Sequence, residues 1–217
     1  LSALPDLNVE LIDDYMSFGY IPGEKTLHKG INRLMPGHYA IVKGREMKIT
    51  QWWDLTFNND EDKGFDYYLN ESKRLLESAI DLRLRSDVPL GIFLSGGIDS
   101  SAVVAMMSQL SDKAVKTCSI GFDVKDYNET DFAQMVAKRY QTDHEERVVA
   151  SDDFDLLDEL ANLYDEPYAD SSSMPTYRVC QLAREKVTVC MSADGADELL
   201  AGYRRYALMM NEEKVRA

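Results

Sequence analysis

From Phe65 to about residue 200 the chain alternates helical-period stretches with short apolar runs, and this alternation constrains its fold more than any other feature. Phe65, Leu69, Leu76, Ile80 and Leu84 recur at helical spacing and predict a helix of about five turns with one apolar stripe. "VPLGIFL" at 88–94 is a continuous apolar run, the pattern of a strand buried on both faces. The next helical stretch carries Val103, Val104, Met106, Met107 and Leu110. A second strand is expected at "AVKTCSIGF" (114–122), followed by a helix after "YNET" with Asn128 as its N-cap. "EERVVA" (145–150) reads as a third strand, and Ser151 as the cap of an acidic-fronted helix. A Pro-containing connection and the helix "PTYRVCQLAREK" (175–186) lead to a fourth strand, "VTVCMS" (187–192). The chain then turns through "ADGADE" into a final helix. Strand, helix and strand repeated in this way imply an α/β fold, a doubly wound parallel sheet with right-handed crossovers. The long passage between the third and fourth strands predicts that strand order reverses there. Ligands of open α/β sheets bind at such a reversal, beyond the carboxyl ends of the strands.

The first part is punctuated differently. "MSFGYIPGEKTLHKGINRLMPGHYAIVKGREMKITQWWDL" repeats Pro and Gly, with short β-prone pieces at His38 to Val42 and Met47 to Trp53. It holds too few strands to close a sheet alone. The acidic, Asn-rich "TFNNDEDKG" reads as a linker, so residues 1–60 and 61–217 are expected to form separate domains.

A formal net charge of −14 repels phosphate backbones, so no nucleic-acid partner is expected. The acidic stretches "NNDEDKGFD" (58–66) and "SDDFDLLDE" (151–159) read as solvated linker and helix faces. Cys118, Cys180 and Cys190 are odd in number and lack metal-ligand spacing, which fits reduced thiols and a cytoplasmic location. No apolar run approaches membrane-spanning length. The chain opens on Leu1 and closes within a helical pattern, so it is expected to be an internal piece of a longer protein.

"LSGGIDSS" follows the first buried strand directly. Glycines let a backbone approach an oxyanion closely, and the helix that follows offers free N–H groups and a positive dipole end. Ser95 and Ser100 add hydroxyl donors. The loop is a phosphate cradle without the lysine of a Walker loop, because no G-x-x-x-x-G-K-[ST] occurs in the chain. Asp99 would repel a bound phosphate unless a cation lay between them, and it therefore implies Mg²⁺. "SADGADE" also follows a predicted strand, so the two loops are expected to line one crevice.

The string S-G-G-x-D-S resembles the pyrophosphate-binding loop of the ATP pyrophosphatases, which cut ATP between its α- and β-phosphates. "SADGADELLAGY" (192–203) resembles the asparagine synthetase segment S-G-[ED]-G-x-D-E-x-x-G-G-Y. "DEPYADSSSMPTY" and "SIGFDVKDYNETDFAQMVAKRYQTDHEE" follow the spacing of the same family. "GYIPGEKTLHKGINRLMPGHYAIV" resembles the closing part of the glutaminase domain that precedes the synthetase domain in the glutamine-dependent enzymes. The resemblance is therefore to glutamine-dependent asparagine synthetases of class B. It implies an adenine nucleotide alpha-hydrolase-like sheet over 61–217 and a β-rich glutaminase remnant over 1–60. The family's N-terminal cysteine nucleophile has no counterpart before Cys118, and its late lysine would lie beyond Ala217, so the chain alone is expected to be inactive.

The resemblance implies a ligase using ATP and Mg²⁺ to join ammonia from glutamine to aspartate through an acyl-adenylate. Ser95, Gly96, Gly97, Asp99, Ser100 and Ser101 would hold pyrophosphate and its metal, with Asp197 as the second metal carboxylate. Asp194 matches the acidic position that assists formation or capture of the acyl-adenylate; a turn Asp bonding its own backbone is the competing role. Leu94 and Ile120 match positions whose backbone contacts adenine, and Ser192 and Ala193 match further nucleotide contacts. Ala193 stands where the family pattern has glycine, so a left-handed backbone there would be strained. That departure leaves open a related amidotransferase acting on a sugar or another carboxylate, and a chain that binds nucleotide without turnover. His144 matches a family histidine, with a surface role between helix and strand as the alternative. Trp52 and Trp53 suggest stacking, although alternating strand faces would account for them. Arg204 and Arg205 could meet an anion, or pair with helix carbonyls and neighbouring acids. Unpaired strand edges in the first part could join two copies as a homodimer.

Overall fold

The computed structural model describes residues 5–57, 61–124, 128–150 and 154–216. By contact the chain divides into two units, Leu1–Asp62 with Phe154–Ser173, and Lys63–Asp153 with Met174–Ala217. In chain order the first elements are α1 (Ile12–Phe18), β1 (His38–Lys43), β2 (Glu46–Gln51), α2 (Phe65–Leu84), β3 (Leu90–Phe93) and α3 (Ile98–Leu110). Then come β4 (Lys116–Phe122), α4 (Thr130–Tyr140), β5 (Asp143–Val149), α5 (Leu157–Leu163), α6 (Ser173–Arg184), β6 (Val189–Met191), α7 (Ala196–Leu200) and α8 (Arg204–Arg216).

In the second unit four parallel strands lie in the order β5-β4-β3-β6. The next two strands, β4 and β5, step outward from β3, and β6 returns to the opposite side of it. This is the order reversal anticipated from the long passage between the third and fourth strands. The reversal also explains the two helical layers. Right-handed crossovers put α3 and α4 on one face while the strands step one way, and α6 on the other face once the direction changes. Ile80 of α2, Ile92, Leu94, Val103, Val104, Met107, Ala133 and Ala137 form the core of the first face. Cys118, Leu182, Ala183 and Val187 form that of the second, with Phe93, Ile120 and Cys190 packed against them.

Adjacent residues of β3 serve opposite layers, as the period of two requires. Ile92 and Leu94 are 0% and 1% exposed, each worth about 1.5–3 kcal/mol of apolar burial. The expected stripe on α2 is buried only at Ile80, with Leu84 partly buried against the same core. Phe65 and Leu69 are 77% and 54% exposed, so the helix meets the sheet layer through its C-terminal end. The N-cap position of α4 is Glu129 and not Asn128 as expected; Asn128, one residue earlier, accepts at Oδ1 from Thr130 N at 3.2 Å, a bond two residues along the chain. Ser151, expected to cap the following helix, lies outside the described residues, as do Asn58 to Asp60 of the expected linker. Burial pushes the Cys118 and Cys190 thiols up, Cys190 to about 12, and all three cysteines are free. Among the described residues no helix is long and apolar enough to cross a membrane.

The first unit has a different construction. β1 and β2 form an antiparallel hairpin, registered from His38↔Gln51 to Lys43↔Glu46. Its sheet has two strands, and Ile41, Val42, Met47 and Ile49 are all exposed. A two-stranded sheet is marginal by itself. In the Pro/Gly-rich segment before it, one side chain gathers several backbone carbonyls. Arg33 Nη1 donates to the carbonyls of Ile21 (2.6 Å), Gly23 (3.0 Å) and Lys25 (3.2 Å), and Nη2 pairs with the Glu166 carboxylate. Glu166 Oε1 in turn accepts from Leu27 N at 2.9 Å. Residues 154–173, read in sequence as part of a passage between strands, thus belong by contact with the first unit.

Candidate nucleotide site

Because β3 and β6 are parallel and paired, Leu90 with Val189 and Ile92 with Met191, the chain leaves both at the same end of the sheet. Extending the register two residues sets Leu94 level with Ala193, and Ala193 packs against the core cluster that contains Leu94. Ser95–Ser101 and Ser192–Asp197 therefore start side by side, and in the register of β3 with β4 Ile120, two residues before the end of β4, is level with Ser95.

The loop after β3 is organised by its own hydroxyls. Leu94 N donates to Cys118 O at 2.9 Å, closing the strand. Ser95 Oγ then accepts from Gly97 N at 3.2 Å and lies 3.0 Å from Ser100 Oγ. Ser100 Oγ also donates to Gly97 O at 3.3 Å, and Ser101 N reaches the same carbonyl at 3.1 Å. Gly96 turns the chain at φ +85°, and a Cβ there would lie 2.7 Å from Ala133 N and from Phe132 Cβ. The loop is thus seated against the first turn of α4. Gly97 is extended, at φ −66° and ψ 165°, and α3 begins at the next residue. Asp99 stands in the first turn of α3, partly buried, while Ser100 is buried. The result is an exposed backbone bend at a helix N-terminus flanked by hydroxyls, suited to an oxyanion.

The loop after β6 is more open. Asp194 N donates to Ser192 Oγ at 3.3 Å, and Gly195 adopts φ +93° before the short helix α7. Asp194 is exposed; Asp197 is partly buried and tightly overlaid by Gly202, where any Cβ would collide with Asp197 Oδ1. Gly202 N donates to Asp197 O at 3.0 Å. Ala193 is not among the residues with positive φ, so the strain expected there is absent. It falls instead on Ala201, at φ 55°, a position the sequence reading passed over. Its signal was the alanine standing beside Gly202 where the family pattern carries paired glycines.

Asp99 and Asp197 fit a Mg²⁺ ion by their chemistry. Two carboxylates from neighbouring loops suit an ion that retains waters and takes substrate phosphates, rather than a cage built wholly of protein. Among the described residues no group of three or more His, Cys, Asp or Glu converges as such a cage.

The remaining candidates lie elsewhere. His144 is not at the surface: its side chain is 13% exposed, with both ring nitrogens beside hydroxyls of β4. Trp52 and Trp53 are exposed, and their backbone N–H groups donate to Gly37 O. Arg205 lies over the Tyr203 ring at 4.3 Å, and Tyr203 Oη donates to Glu198 at 2.9 Å. A cavity of about 1000 Å³ opens in the first unit, lined by Tyr20, Met35, Tyr164 and Tyr168 among others, and none of its lining residues is a nucleotide candidate.

Residues 71–217 match the family model described as asparagine synthase. A putative glutamine-hydrolysing asparagine synthetase of Methanocaldococcus jannaschii is 37% identical over 91% of this chain and 39% of its own length. Asparagine synthetase 1 of Bacillus subtilis is 31% identical over 93% of this chain and 32% of its own. The chain thus spans about a third to two fifths of the length of these relatives. A Penicillium rubens protein named amidase chyE is 39% identical over 97 residues, 42% of this chain and 14% of that one. Among solved structures, an NH3-dependent NAD synthetase from Campylobacter jejuni aligns over 62% of this chain and 60% of its own, with TM-score 0.43 and 16% identity.

Proposed function

This chain belongs to the asparagine synthase family, and we propose that it carries the nucleotide site of an ATP-dependent ligase that makes asparagine from aspartate, with ammonia drawn from glutamine in the whole protein. The observation that carries this reading is the pairing of β3 with β6, which starts the hydroxyl-rich loop and the acidic loop at one sheet edge.

A carboxylate is a poor electrophile, so the reaction needs an activated leaving group. An oxygen of the aspartate side chain attacks the α-phosphorus of ATP, the bond to the bridging oxygen breaks, and pyrophosphate departs. Ammonia then attacks the acyl carbon of β-aspartyl-AMP, AMP leaves with the C–O electron pair, and a proton is lost. Ser95, Ser100 and Ser101, with the amides of Gly96 and Gly97, hold the departing pyrophosphate at the N-terminus of α3, where growing negative charge meets the positive end of the helix dipole. Asp99 and Asp197 would hold Mg²⁺, which lowers the Coulomb cost of bringing two anions together. Asp194 assists formation or capture of the acyl-adenylate. Leu94 and Ile120 present backbone to adenine, and Ser192 and Ala193 border the nucleotide. Residues 1–60 are the closing part of the glutaminase domain, and 61–217 belong to the synthetase domain.

Titration calorimetry with Mg·ATP tests the site. Asp99→Ala and Asp197→Ala are each expected to weaken binding at least about ten-fold, in keeping with loss of charge-assisted contacts. Unchanged affinity in both variants removes the metal assignment. A second reading, amidation of a different carboxylate, draws on Ala193 standing in place of the family glycine and on the amidase-named relative. ATP–pyrophosphate exchange in the whole protein separates the two: aspartate supports exchange under the first reading and fails to under the second.

A further inference from the structure

We propose that His144 is a positioning residue for the glycine loop, acting through β5 and α4; the proposal rests on the reading of that loop as a phosphate cradle. Thr117 and Ser119 are 0% and 3% exposed on the face of β4 that receives α4, where apolar side chains would ordinarily pack. Buried hydroxyls are costly unless paired, and the His144 ring pairs both. Its Nδ1 is 2.8 Å from Thr117 Oγ1 and its Nε2 is 3.2 Å from Ser119 Oγ. Thr117 Oγ1 is also 2.8 Å from Thr142 Oγ1, which extends the network to the turn before β5.

Glu146, two residues further along β5 on the same face, brings its Oε2 to 3.8 Å from Nε2, beyond hydrogen-bond distance, and that oxygen accepts from Gln134 Nε2 of α4 at 3.0 Å. Gln134 follows Ala133 on α4, and Ala133 N is one of the two atoms that a Cβ on Gly96 would strike. Ala133 is fully buried, so this turn of the helix has little room to shift. The polar network therefore holds one side of α4 to the β4–β5 pair, while the first turn of the same helix backs the bend that faces the phosphate. A loop whose donors must be in place before the leaving group develops charge depends on the rigidity of its backing.

The test compares His144→Leu, His144→Gln and Gln134→Leu by Mg·pyrophosphate affinity and by amide hydrogen exchange at Gly97 and Ser101, well below each variant's Tm. His144→Leu and Gln134→Leu are each expected to weaken pyrophosphate binding about five- to ten-fold and to speed exchange at both amides. The double variant loses little more than either alone, and His144→Gln recovers most of the affinity. Gln134 is exposed, so its variant remains informative should His144→Leu fail to fold. A lowered Tm with unchanged affinity and unchanged loop exchange overturns the proposal, leaving His144 a buried packing residue. If the unaltered protein binds no pyrophosphate, the phosphate reading falls while the exchange rates still decide the link between network and loop.

Discussion

At the end of β3, Gly96 has backbone and side-chain atoms of α4 where a Cβ would go, whereas at the end of β6 Gly195, with a similar left-handed φ, faces open space. One glycine is demanded twice, by its torsion and by its neighbours; the other by its torsion alone. The same contrast runs through the two loops. Residues 95–101 are tied by four short contacts among Ser95, Gly97, Ser100 and Ser101, while the acidic loop holds its exposed Asp194 by a single turn contact and relies on Gly202 to confine Asp197. The loop after β3 is thus fixed by its own contacts and by α4, and the loop after β6 is held by fewer.

Three substitutions separate these plans by urea denaturation. Gly96→Ala is expected to cost most, about 2–5 kcal/mol, combining left-handed strain with overpacking against α4. A loss below 1 kcal/mol would mean that the loop moves freely off the helix. Gly195→Ala should cost only the torsional part, about 1–2 kcal/mol, since nothing obstructs the new methyl. Equal losses at the two glycines would erase the distinction. Ala201→Gly has the smallest effect and the opposite sign, a gain of about 0.5–1 kcal/mol, because relief of strain exceeds the added freedom of the unfolded chain.

The α/β alternation, the reversal after the third strand and the loop residues 95–101 were legible in the sequence because each rests on local pattern: a period, a buried run, a glycine between strand and helix. The start of α4 was legible to within one residue for the same reason, since Asn128 bonds Thr130 N, two residues along, although Glu129 takes the cap position. The α2 stripe was legible as a stripe but not in its burial, since spacing shows which side chains share a face and not how far the partner layer extends. His144 was left between a family match and a surface role because its partners, Thr117 and Ser119, belong to another strand. The strain was anticipated at Ala193 and lies at Ala201, because a residue's φ follows from where the flanking helices start and stop. Arg33 and Glu166, far apart in sequence, carried no motif at all.

By itself the sequence determined the order of strands and helices, the reversal and the residues of the two loops, since these follow from side-chain period and from the backbone freedom of glycine. Only the tertiary structure decided that α4 backs Gly96 and that residues 154–173 join the first unit. Those outcomes depend on which distant surfaces become buried together, a choice made by packing across the whole chain and not by any short stretch of it.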